Sequence, residues 1–170
     1  KLIFGNIEKA CTEPEAMQEK DNMRIAAFYG GVAITASGTT GVHALSYPLG
    51  GKYHIAHGVS NAMLLEPVMR FNKDACLDEF EQIYDAVMPA ASGMGKEEKA
   101  DAVLERMSQI IRYLQIPSSL AEFHVQEDEL DAPVEAGMQV TRLLFNNRKT
   151  ITPQDERRSE QAILRTSEEA

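Results

Sequence analysis

Apolar residues recur at three- and four-residue intervals along nearly the whole chain, a spacing that predicts helices. In KLIFGNIEKAC, residues Ile3, Ile7, Ala10 and Cys11 line one face of a first helix. TEPE then restarts the chain, with Thr12 as N-cap, Pro14 in the first turn and Glu15 as the capping-box partner. A second helix runs to about Ser37. Its track Met23, Ala26, Ala27, Gly30, Ile34 is small and apolar enough for a neighbouring helix to approach closely, and SGTTG breaks it.

Beyond a histidine-rich segment, a helix is expected from Gly58 through Phe71, with Ala62, Leu65 and Met69 on one face and Pro67 bending its middle. Asp74 to Val87 and Lys96 to Leu114 read as two amphipathic helices separated by the connector MPAASGMG. IPSSLAEF predicts a short turn capped by Ser118 or Ser119, and Asp128 to Leu144 a further helix. The last helix opens at ITPQD, with Thr152 as N-cap and Pro153 at the first helical position, and runs through about Leu164. No stretch alternates apolar and polar residues between turns, and no internal repeat of roughly 20 to 50 residues is present. The expected class is all-α, a single globular helical domain of about seven helices.

At 170 residues the chain is long enough for one domain with its own core. It contains no unbroken apolar run of about 18 residues, so no membrane span is expected. Lys1 to Ala10 also lacks the basic-then-apolar order of a secretory leader, which makes the cytoplasm the default compartment. Cys11 and Cys76 stand far apart with no CxxC pattern and read as buried or half-buried thiols in a reducing environment. A net charge of -9, with Lys and Arg scattered among acids, excludes nucleic acid as the expected partner. QEDELD and the tail SEEA read as solvated helix ends.

HALSYPLGGKYHIAHG gathers His43, His54 and His57, three of the four histidines. Neutral imidazole suits Zn2+ or Fe2+, so a metal site is one reading and a coincidence of helix packing the other. PLGG predicts a turn between His43 and His57, and Gly58 suggests that His57 also lies in a turn. Spacing alone leaves the choice open. The chain has no GxSxG nucleophile elbow, no GxxxxGK[ST] phosphate loop and no GxGxxG after a strand.

Taken together, GVHALSYPLGGKYHIAHGVSNAMLLEPVMRFN (Gly41 to Asn72) resembles the second signature segment of the iron-containing (group III) alcohol dehydrogenases, H-x3-[HY]-P-L-G-x6-H-G-x2-N-A followed by a helix ending in asparagine. The likeness extends to NMRIAAFYGGVAITASGTTG before it and to RYLQIPSSLAEFHVQEDELDAPVEAGM and NNRKTITPQD after it. It implies a C-terminal helical domain of the dehydroquinate synthase-like kind in which His43 and His57 are two ligands of Fe2+, or of Zn2+ as in some relatives. The family completes its site with an Asp and a His four residues apart, and this sequence contains no D-x3-H. That pair, and an N-terminal α/β domain binding NAD(P), are expected upstream of Lys1.

Tyr47 stands where many members carry a second His facing the nicotinamide, so the resemblance makes it a cofactor-binding residue. Tyrosine still donates a hydrogen bond but carries protons poorly near neutral pH, and no catalytic residue is assigned. His54 reads as a cleft or surface residue, His124 as structural or solvent-facing, and Asn61 and Asn72 as backbone-capping or supporting groups. The resemblance implies the metal-binding domain of an NAD(P)-dependent enzyme that oxidises an alcohol to an aldehyde or ketone, with this chain inactive alone. The alternative is a non-catalytic helical module that binds a partner or small molecule, and a Zn2+-using relative like glycerol dehydrogenase is a third reading. The residues leave open which alcohol, NAD or NADP, iron or zinc, and whether the protein forms a homo-oligomer.

Overall fold

The computed structural model describes residues 1–89 and 93–165, and every regular element among them is helical. The middle of MPAASGMG and the tail SEEA lie outside the described residues. In chain order the α-helices are α1 (Leu2–Thr12), α2 (Met17–Ser37), α3 (Gly41–Tyr53), α4 (His57–Asn72), α5 (Leu77–Val87), α6 (Lys96–Tyr113), α7 (Asp131–Met138), α8 (Thr141–Leu144) and α9 (Pro153–Arg165). They gather into two compact units. Lys1–Gly38 joins Cys76–Leu114, and Thr39–Ala75 joins the chain from Gln115 onward.

In the first unit α1 packs along α2 and α5 along α6. Phe80 and Tyr84 from α5 meet Ala100, Val103 and Leu104 of α6 in a buried seam. Lys99 ties its edge to Glu81 at 3.1 Å and Asp85 at 2.9 Å. Arg106 holds Glu8 of α1 through two hydrogen bonds of 3.0 and 2.8 Å, and that guanidinium keeps the Glu8 carboxyl below the usual carboxylate range. Of the face expected on α1, Ile7 and Ala10 are partly covered, while Ile3 and Cys11 are exposed, so Cys11 is not the half-buried thiol anticipated. Thr12 does not cap α2. Its hydroxyl donates to Glu8 O inside the last turn of α1, because the helical ladder continues to Glu13 before Pro14 stops it, and the N-cap of α2 is Ala16.

The second unit carries the hydrophobic core formed by Val42, Leu45 and Leu49 of α3, Ile55 of the connection that follows, Met63, Leu64 and Val68 of α4, and Leu120, Val125, Leu130 and Ile163. PLGG is not a turn but lies inside α3, with Pro48 in the helix interior. A mid-helix proline costs about 3 kcal/mol and each glycine about 1. Burying Val42, Leu45 and Leu49 at about 1.5–3 kcal/mol each offsets that cost. The reversal falls instead at His54, whose backbone is left-handed (φ 57°), with Ile55 buried behind it.

The covered face of α4 is Ser60, Met63, Leu64, Val68 and Asn72, not the expected Ala62, Leu65 and Met69. Its polar ends disguised the stripe: Asn72 exchanges amide hydrogen bonds of 3.0 and 2.8 Å with Asn147. The single helix expected over Asp128 to Leu144 is divided into a 3-10 turn at Glu127–Glu129, α7 and α8. Two tightened bonds, Gln139 N to Ala136 O and Val140 N to Gly137 O, end α7. Thr152 caps α9 as expected, its hydroxyl accepting from Asp155 N at 3.3 Å while Asp155 Oδ2 accepts from Thr152 N at 3.0 Å.

Candidate metal centre

Two helix ends meet at this site. His43 lies in the first turn of α3, which Gly41 and Val42 bury against the core, and His57 is the first residue of α4. The left-handed turn at His54 folds α4 back beside α3 and brings the two imidazoles, fourteen positions apart in sequence, to a centroid separation of 5.3 Å with their planes 62° apart. Tyr47, one turn after His43, places its ring 6.4 Å from His43 and 5.7 Å from His57. His54 itself is exposed at the C-cap of α3, and His124 is exposed at another left-handed position; neither makes a ring contact with the pair among the described residues.

The backbone beneath each histidine is fixed in the same way. His43 O accepts from Ser46 Oγ at 3.1 Å and His57 O from Ser60 Oγ at 3.1 Å, and both serines are fully buried. The repeated H-x2-S spacing was visible in the sequence but carries no signal until burial is known. Asn61 adds a third contact, donating to His57 O at 2.7 Å.

His43 is partly covered, and burial followed by the neighbouring His57 charge holds its pKa below the ordinary imidazole value. A neutral imidazole is the form that ligates a metal. An ion about 2.1 Å from one nitrogen of each ring would set the centroids roughly 5 Å apart, which the observed separation matches. The donor chemistry suits Fe2+ or Zn2+. Two imidazoles are nonetheless half of a four-coordinate set, and no group of three or more His, Cys, Asp or Glu is arranged to hold an ion among the described residues. Nor is any single described helix long and apolar enough to cross a membrane.

The chain is 33% identical over 144 residues to long-chain-alcohol dehydrogenase 1 of Geobacillus thermodenitrificans, covering 85% of this chain and 36% of that protein. It is 28% identical over 149 residues to 1,3-propanediol dehydrogenase of Klebsiella pneumoniae, covering 88% and 38%. The chain thus spans little more than a third of the length of these relatives. Among solved structures, a 1,3-propanediol oxidoreductase superposes with a TM-score of 0.90 at 24% identity, over 96% of this chain and 42% of that one. An alcohol dehydrogenase from Oenococcus oeni gives 0.87 at 24%, over 94% and 42%. These two likenesses establish the all-α fold. Residues 1–158 match the model of the Fe-containing alcohol dehydrogenase family, C-terminal, and the chain belongs to that family.

Proposed function

We propose that this chain is the metal-ligating helical part of an NAD(P)-dependent alcohol dehydrogenase, with His43 and His57 as two ligands of one divalent ion, Fe2+ or Zn2+. The observation that carries the reading is the 5.3 Å approach of the two rings. The remaining ligands and the dinucleotide would come from outside these 170 residues, from an N-terminal α/β domain. His43 and His57 would hold such an ion, which would supply Lewis acidity toward an alcohol or carbonyl oxygen.

The chain's own residues do the positioning. Ser46 and Ser60 anchor the ligand backbones, and the half-covered α3 turn lowers the His43 pKa and so favours its neutral form. Tyr47, on the open side of the pair, presents a phenol that can hydrogen-bond to cofactor or substrate. The relatives' names, from long-chain alcohols to 1,3-propanediol, span several substrates, so the class assigned is alcohol to aldehyde or ketone.

A calorimetric titration of the chain with Zn2+ tests the reading. Weak binding is expected, reduced in His43→Ala and in His57→Ala by more than the roughly 10–100-fold that loss of an outer-sphere partner costs. No alcohol-dependent NAD(P) reduction is expected from the 170 residues alone, and turnover by them would contradict the proposed division of labour.

A second reading is a helical module that binds a partner without catalysis. It is favoured by the exposed apolar row Ile25, Phe28, Tyr29 and Val32 on α2, with Phe28 68% exposed. Absence of Zn2+ binding would favour it.

A further inference from the structure

We infer that Asn61 is a positioning residue that clamps the His57 ring from its face and leaves both ring nitrogens free to ligate. The geometry stands without a metal, and its consequence for ligation rests on the function proposed above. Asn61 lies one turn beyond His57 on α4, the spacing at which helix side chains meet. Its Nδ2 is 3.1 Å from Nδ1 and 3.2 Å from Nε2 of the same imidazole.

Those two nitrogens flank a single ring carbon. A donor equally close to both and lying in the ring plane would collide with that carbon, so the amide must sit over the face, an N–H to π contact. The in-plane lone-pair directions, where a metal must bind, are left open.

The amide cannot turn over. Nδ2 also donates to His57 O at 2.7 Å, and exchanging the amide atoms would set two oxygens against each other there. The orientation is held even though Asn61 Oδ1 is buried without a hydrogen-bond partner among the described residues. Ser60 Oγ, on the same carbonyl, fixes the backbone that carries the ring. The clamp sits where it is needed: His43 is partly wedged by its own helix packing, whereas His57 is exposed at the start of a helix that has no side-chain N-cap.

Imidazole-labelled chain, without metal and then with Co2+, tests the clamp by NMR and visible absorption. Wild type should show a single His57 rotamer, with Overhauser contacts between the Asn61 amide protons and the ring. Asn61→Ala and the isosteric Asn61→Asp, which removes the donor, should both let the His57 rotamers average while the His43 signals stay in place. Co2+ affinity should fall about 10–100-fold in Asn61→Ala. Rotamer averaging already present in wild type, or an unchanged His57 in a folded variant, would overturn the clamp. If Asn61→Ala fails to fold, the Asp variant and the wild-type contacts decide. Wild type that binds no Co2+ sinks the dehydrogenase reading, and the metal-free rotamers still decide the role of Asn61.

Discussion

Between about pH 5 and pH 8 the chain's melting temperature should fall relative to that of the double variant Glu156→Gln/Glu160→Gln. Both acids are completely buried on α9, and none of their four carboxyl oxygens has a hydrogen-bond partner among the described residues. Burial, and then the charge of Glu160, pushes Glu156 up to about 9. Burial pushes Glu160 up to about 8, against the pull of Arg157 and Lys52.

Both native values lie above the ordinary 4.5, so between 4.5 and 8 the folded chain holds two protons that the unfolded chain releases. Their contribution is complete below the unfolded value and is lost as pH climbs through the folded ones, at no more than about 1.4 kcal/mol per group per pH unit. The lowered acids Glu8, Asp74, Asp78 and Asp155 act only at lower pH. His43, lowered by burial, adds stability with rising pH in both proteins. The difference between wild type and double variant therefore isolates the pair, and parallel melting curves across this range would refute the assignment.

Gly137→Ala should cost about 1–3 kcal/mol, and that cost should vanish in a Glu156→Ala background. A Cβ on Gly137 would overlap Glu156 Oε1 and fall 2.9 Å from Glu156 Cδ. The glycine opens the notch in α7 into which the buried carboxyl packs. Its backbone is ordinary helix, since the positive-φ glycines are Gly38 and Gly93 among the described residues. Alanine is therefore penalised only by the collision. Once Glu156 is truncated, the usual helical preference for alanine over glycine, about 0.5–1 kcal/mol, should show through. Equal costs in the two backgrounds, measured by urea denaturation, would place the effect elsewhere.

Where local spacing decides an element, the sequence was readable. α5 and α6 follow their apolar periods, and the Thr152 cap opens α9 as its residue types demand, whereas of the α2 track Ala26 is buried and Ala27, Gly30 and Ile34 are exposed. Where tertiary burial overrides local preference, it was not. PLGG carries turn residues, yet its own Leu49 shares one continuous helical face with Val42 and Leu45 before it. The break after α7 has no proline, and its glycine serves side-chain packing.

Nothing in the spacing of PQDERRSEQAIL marks its acids for burial, and only the capped register of α9 turns Glu156 and Glu160 inward. At the candidate site, fourteen residues of separation could not say whether two histidines meet. The family resemblance supplied that expectation, and the left-handed turn at His54, which no residue type announces, brings the rings together.

Anomalous diffraction from crystals of the chain soaked in Zn2+ tests the shared ion most directly. One peak should lie about 2.1 Å from a nitrogen of His43 and the same distance from a nitrogen of His57. A peak on one ring alone, or no zinc between them in a saturated crystal, would contradict the account.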